Sequence, residues 1–327
     1  MSERESGRRS RTWQVPDASG RAVSENIVNP TFEFAADAAS TLERQTRLDV
    51  YMREHVLSDG RFLCSSGGAC RGSLASLARS GTQAAFHEGQ LHHVGDAYDL
   101  RINRQQMRVV VVGQDYGDGP ARVDREQRSR EVVVLSGQRR RFSASDGFDA
   151  RDLALKGTTS VLRLLFGHYT GDDYDGEFID IGERQKHIFE AFALVNFLLC
   201  SAVDASGPAA RVVTVSTPVM QEQCTRHFKA ALQILQPTVV VLLGKTPLAN
   251  WIAAGRVFER AKAISRTLSE ARLDGQPVLI AGFANPSARV PHNWGANEES
   301  RYLRTTVLST IREIHRRHGL SGEDRMV

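Results

Sequence analysis

Uninterrupted apolar runs punctuate the second half of this chain, and each breaks off at glycine or a small polar loop. The run MRVVVVGQDYGDGP (107–120) places Val109 to Val112 ahead of Gly113. PTVVVLLGKTPL (237–248) runs into Gly244, and PVLIAGFANPSARVPHNW (277–294) runs into an Asn-Pro-Ser turn. β-branched runs of this length, bounded by glycine, predict strands buried on both faces. A fourth apolar strand is predicted within QKHIFEAFALVNFLLC (185–200), after a helical stretch, with Asn196 its one polar interruption.

Between these runs the polar pattern changes period. Leu42, Leu48, Tyr51, Met52 and Val56 suit an amphipathic helix over 36–57. Helices are also predicted over 149–166, 255–272 and 296–318. Another runs from Thr217-Pro218, an N-cap followed by proline at N1, to Leu235 ahead of Pro237. REVVVLSGQRRRF (130–142) reads as a hairpin arm. Residues 1–32 are polar, Arg/Ser-rich and without hydrophobic period, and are expected to form a disordered tail; 321–327 form a second tail. Strands alternating with helices predict an α/β domain over 33–320: three layers, α/β/α, around a central, mainly parallel four-stranded sheet.

Composition narrows the function classes. No apolar run approaches the roughly 20 residues that span a bilayer. The N-terminal MSERESGRRSR has no apolar core of a signal peptide. A cytoplasmic protein without membrane contact is therefore expected. In a reducing compartment its four cysteines read as thiols or metal ligands rather than disulfides. A net charge of +4 and a pI near 9.0 permit binding to a polyanion.

Several residues carry candidate chemistry. Ligands of open α/β sheets bind beyond the carboxyl ends of parallel strands, where Gln114 and Asp115 would sit. Asn196, buried in an apolar strand, needs a partner from backbone, water or ligand. Cys64 and Cys70 stand in a Gly/Ser-rich stretch, FLCSSGGACRGSL, that is read as a loop. Arg139, Arg140 and Arg141 form a basic triplet suited to phosphate. LLGKT lacks the spacing of a phosphate-wrapping loop.

Taken together, Gln114-Asp115 with Gly119-Pro120, Asn196 followed four positions on by Cys200, and Asn285-Pro286-Ser287 resemble the three motifs of the uracil-DNA glycosylase superfamily. The resemblance extends over about 62–294. Asn196 with Cys200 is similar to the iron–sulfur branch, while Gln114-Asp115 is similar to the first motif of the best-known branch, GQDPYHGP. Tyr116 replaces that motif's proline, and Gly117 stands where its tyrosine blocks thymine.

The resemblance implies excision of uracil, or a related deaminated base, by hydrolysis of the N-glycosidic bond. Asp115 would orient the water. Gln114, Asn196, Tyr116 and Gly117 would surround the base, and Phe142 (or Phe148) would stack on it. Asn285 would stabilise the leaving base, with His292, seven positions later, as a further catalytic candidate. Ser287 would contact phosphate and Arg289 would wedge into the duplex. Cys64, Cys70, Cys200 and Cys224 would ligate one [4Fe–4S] cluster. The expected partner is uracil-containing DNA, single- or double-stranded, bound by a monomer. Two alternatives stand beside this reading: a DNA-binding or redox-sensing iron–sulfur member with little glycosylase activity, and a zinc-stabilised nucleotide-processing enzyme.

Overall fold

The computed structural model describes residues 32–59, 61–78, 84–88, 91–114, 153–171, 174–204, 213–244, 256–288, 292–295 and 300–320, and the backbone of 12–16 and 22–26. It is a mixed α/β protein. In chain order its main elements are α1 (Ala38–His55), α2 (Gly67–Ser73), β1 (His93–Val94), β2 (Val109–Gly113), α3 (Leu153–Leu165) and β3 (Phe192–Asn196). There follow α4 (Pro218–Leu235), β4 (Val239–Leu243), β5 (Glu259–Ala263), β6 (Leu268–Leu273), β7 (Gln276–Phe283) and α5 (Leu308–Arg317).

The seven strands form one sheet in the order β5-β6-β7-β4-β2-β3-β1. Its centre is parallel: β3 pairs with β2, β2 with β4, and β4 with β7. These four are the apolar runs of the sequence. Alternate valines of β2 feed two separate cores. Val110 and Val112 join Leu48 and Met52 of α1 and Met220, Phe228 and Leu232 of α4. Val109 and Val111 join Val161, Leu162 and Leu165 of α3 and Ile311 and Ile314 of α5. Each valine is wholly buried, worth about 1.5–3 kcal/mol before chain entropy is counted.

This connectivity positions the candidate site. The chain leaves β2 through α3 on one face to reach β3, then returns through α4 on the other face to β4. The carboxyl end of β2 therefore lies where the winding reverses, and such a switch point opens a crevice between neighbouring connections. Helix α4 starts as predicted: the Thr217 side chain accepts from the backbone N–H of Met220, and Pro218 opens the helix. It stops at Gln236, in the left-handed region with φ 47°.

The structure corrects several expectations. Among the described residues the sheet has seven strands and is mixed, because antiparallel strands flank the parallel centre on both sides. The predicted helix over 255–272 is instead the pair β5 and β6. Burial of Leu268, Ala271 and Leu273 follows the sheet, and Asp274-Gly275, both at positive φ, turns β6 into β7. Asp-Gly is a strong hairpin signal, and it outweighs a weak helical period. The helical stretch predicted before β3 is a strand, Arg184–His187, paired with Phe178–Ile181, and then a short 3-10 turn. Cys70 lies on α2 rather than in an open loop. Within the predicted disordered tail, Thr12–Pro16 and Ala22–Asn26 pair antiparallel. Leu42, expected on the buried face of α1, is exposed; that face is Thr41, Gln45, Leu48 and Met52. Thr41 and Gln45 are accepted there because they bond to backbone at Asp99 and Val94.

Among the described residues, the two outermost strands differ in kind. β1 has two residues, whereas β5 is exposed along its length and shifts register against β6 between Glu259 and Lys262.

Candidate functional site

The first two motif strands end side by side. Gly113 and Asn196 are register partners in the parallel pair β2–β3. Beyond them the pairing continues into the loops: Phe197 N–H donates to Gly113 O at 2.9 Å, and Leu198 N–H to Gln114 O at 2.8 Å. Gln114, half-buried, is thus held beside Asn196 by backbone bonds.

Asn196 is 3 % exposed, and its amide nitrogen, Nδ2, is buried without a hydrogen-bond partner. An orphaned buried donor of this kind costs about 1–3 kcal/mol, so its retention calls for a reason. Its backbone N–H, by contrast, is satisfied: it donates to His92 Nδ1 at 3.3 Å. That acceptor role leaves the His92 ring proton on Nε2.

The third motif follows β7. Asn285 is exposed, and its Oδ1 accepts the backbone N–H of Ser287 at 2.8 Å. A backbone N–H can only donate, so the amide oxygen faces the turn and the two N–H groups of Nδ2 face outward. Ser287 is exposed. His292 is exposed too, its ring edge-on to Tyr302 at 5.1 Å. Three strand steps separate β3 from β7, so Asn196 and the end of β7, Phe283, two residues before Asn285, lie about 14 Å apart across the sheet.

Several residues that sequence reasoning missed hold this third loop. Tyr302 accepts Ala284 N–H through its hydroxyl at 2.9 Å, and the Trp294 indole donates to Ala284 O at 2.9 Å. Burial raises the Tyr302 pKa, keeping the phenol neutral. Pro286 fits against two glycines: a Cβ at Gly157 would lie 2.4 Å from its Cγ, and one at Gly295 would lie 2.8 Å from its Cβ. The signal was legible, since a glycine inside the predicted helix LALKGTTSVL weakens that helix unless something packs closely against it.

The four cysteines, far apart in sequence, line one cavity with Val56, Phe62, Gly67, Leu199, Gln223 and His227. All four are free thiols; Cys70, Cys200 and Cys224 are buried and Cys64 is partly exposed. Burial pushes the Cys224 thiol up to about 12, against a backbone hydrogen bond from Leu199, and raises Cys70, with Cys64 adding to the effect. Apolar burial alone thus favours protonated, inert thiols; a bound cation would reverse that preference. Among the described residues no group of three or more His, Cys, Asp or Glu is arranged to hold a metal ion as it stands. The donors share a cavity, and their chemistry, four sulfurs with an apolar wall, fits an iron–sulfur group.

Asp115, Tyr116, Gly117, Arg139, Arg140, Arg141, Phe142 and Arg289 lie outside the described residues. No described helix is long and apolar enough to cross a membrane. Comparison with family models found no match, and comparison with curated proteins found none either.

Proposed function

We propose that the chain is a three-layer α/β/α DNA glycosylase that excises uracil, or a related deaminated base, and carries a [4Fe–4S] cluster on its four cysteines. The observation that carries this reading is Asn196. A buried amide with an unpartnered N–H, at a strand end beside Gln114 and next to the switch point of the sheet, is suited to receiving a planar polar ligand. Uracil presents O4 as an acceptor to that N–H and N3–H as a donor to the amide oxygen. Cytosine presents the opposite pattern at both atoms and is rejected.

The rest of the reaction is assigned by resemblance and by the turn at Asn285. The nucleotide is flipped out of the stack, at a cost of a few kcal/mol that is least for mispaired or single-stranded bases. Gln114 and Asn196 hold the base, Asp115 orients the water toward the sugar, and the outward Nδ2 of Asn285 donates to the departing ring. The span of about 14 Å between the outer strand ends suits a base with its sugar. Arg139, Arg140, Arg141 and Ser287 contact phosphate. The cluster would be held by Cys64, Cys70, Cys200 and Cys224 and would pin the segment around α2 to α4.

Incubation with single-stranded DNA containing one uracil, followed by alkaline cleavage, tests the activity. Strand scission at the uracil supports it; intact DNA at stoichiometric enzyme rejects it. The cysteine cavity also supports a second reading, a DNA-binding or redox-sensing iron–sulfur protein with little glycosylase activity. Iron and sulfide without scission would favour that one.

A further inference from the structure

The Cys64 corner of the cysteine cavity is built differently from the rest. Cys64 is the partly exposed member of the four. Two side chains of α4 reach its sulfur: His227 Nε2 lies 3.4 Å from Sγ and Arg226 Nη2 lies 3.7 Å from it. The same Nη2 also donates to Ser65 Oγ at 3.0 Å and Ser66 Oγ at 3.1 Å, so its two hydrogens are shared among three acceptors and the guanidinium is fixed over this short segment. His227 is three residues beyond Cys224 and shares its helix face. On its far side, His227 Nδ1 meets the hydroxyl of Tyr51 from α1 at 2.9 Å.

This arrangement accommodates either state of the sulfur. With Cys64 as a thiol, Arg226 Nε–H donates to His227 Nε2 at 3.3 Å, and the ring proton sits on Nδ1, donating to the Tyr51 oxygen. With the sulfur as a thiolate ligand, the other neutral tautomer places N–H on Nε2, aimed at the sulfur, and Arg226 Nε–H gives up its bond to that nitrogen. The Tyr51 hydroxyl, which both donates and accepts, then turns to donate to Nδ1. Arg226 Nη2 is a donor toward the sulfur in both states.

We propose that Arg226 and His227 hydrogen-bond to the Cys64 sulfur and raise the reduction potential of the iron–sulfur group, an inference that rests on the cluster reading above. Reduction adds one electron and breaks no bond. The added negative charge spreads onto the sulfurs, so donors at a ligand sulfur stabilise the reduced form more than the oxidised one. Tyr51 is a positioning residue that acts through His227.

The test is a dithionite redox titration of anaerobically purified full-length protein, followed by visible absorption and electron paramagnetic resonance, with iron and sulfide counted in each variant. Arg226→Gln and His227→Phe are each expected to keep the cluster and titrate at lower potential than wild type, with a larger shift in the double variant. Tyr51→Phe keeps the ring packing and is expected to shift the potential in the same direction by less. Unchanged potentials in variants with full iron and sulfide overturn the proposal. If Arg226→Gln fails to fold, Arg226→Lys, which keeps the charge but not the fork, together with Tyr51→Phe decides it by the same criterion. Wild-type protein without iron and sulfide is a different signal; it rejects the cluster itself and this proposal with it.

Discussion

Asn196 Oδ1 lies 3.4 Å from the point where a Cβ on Gly113 would stand, and the two residues are register partners across β2 and β3. A single methyl fits at that separation and a branched side chain does not. Gly113→Ala is therefore expected to leave both folding and uracil excision near wild type. Gly113→Val should displace the Asn196 amide and slow excision by at least tenfold. Single-turnover excision rates, with melting temperatures as the folding control, check the pair.

Asn196 should trade stability against function. Asn196→Leu removes the orphaned Nδ2 and its burial cost, so the free protein is expected to gain on the order of 1 kcal/mol while losing uracil excision. Asn196→Asp removes the donor and presents an acceptor to O4. Each mismatched pair of this kind is worth about 1–3 kcal/mol, so uracil excision should fall by roughly fivefold to 150-fold, and cytosine excision becomes the reaction to look for. Denaturation curves and excision assays on the same preparations read both effects. A Leu variant that is less stable than wild type would return Asn196 to a purely structural role.

On the glycosylase reading, Asn285 has a role for each end of its amide. Its oxygen holds the turn by accepting from Ser287 N–H, and its nitrogen faces outward. Asn285→Asp keeps the oxygen and loses the donor, so the melting temperature should hold while excision slows. A preorganised donor is worth about 10²–10³ in rate; a neutral amide on an exposed turn should supply less, roughly tenfold to a hundredfold. Asn285→Ala loses the turn bond as well and should lower both quantities. Equal excision by the Asp variant and wild type would remove Asn285 from the chemistry.

Acid stability should depend on the end of α5. Burial, with His315 nearby, lowers the His318 pKa from 6.5 to about 4. Burial lowers His315 also, against its bond to the carbonyl of Leu165. Because the folded pKa lies below the unfolded one, the unfolded chain takes up the proton first as pH falls. The His318 contribution is thus complete above pH 6.5 and is lost between 6.5 and about 4. Its ceiling is on the order of 3 kcal/mol. Melting temperatures at pH 7.5 and 4.5 should differ more for wild type than for His318→Gln; parallel curves would exclude this residue as the source.

The central strands and the helix Pro218–Leu235 were legible because their signals are local. Four valines ending in glycine, and threonine-proline at a helix start, need no distant partner to declare themselves. The strand-end placement of Asn196 came from the resemblance, since the apolar run itself continues past it to Cys200. What the sequence hid depends on contacts made elsewhere. Glu259–Leu273 carries a helical spacing of apolar residues, yet the open edge of β7 and the Asp274-Gly275 turn recruit it into the sheet. The gathering of Cys64 and Cys70 with Cys200 and Cys224 was expected by resemblance, but the neighbours that complete their cavity were not. His227 and Arg226 look in sequence like ordinary polar residues of an amphipathic helix, and their aim at Cys64 exists only once α4 is packed. Asp115 and the arginine triplet remain readings from sequence alone.

The two borders of the main sheet bear on how the chain behaves in company. An exposed row of unpaired backbone groups is a template on which a second chain can add a strand. On one side β1 offers two residues, too short to register with a stranger. On the other, β5 places Glu259, Arg260 and Lys262 along the rim, and the register breaks there, with Arg260 at φ 52°. A flat incoming strand meets charge and a kink where it needs a straight ladder. The described borders of a sheet whose four inner strands are this apolar are thus poor templates for a second chain.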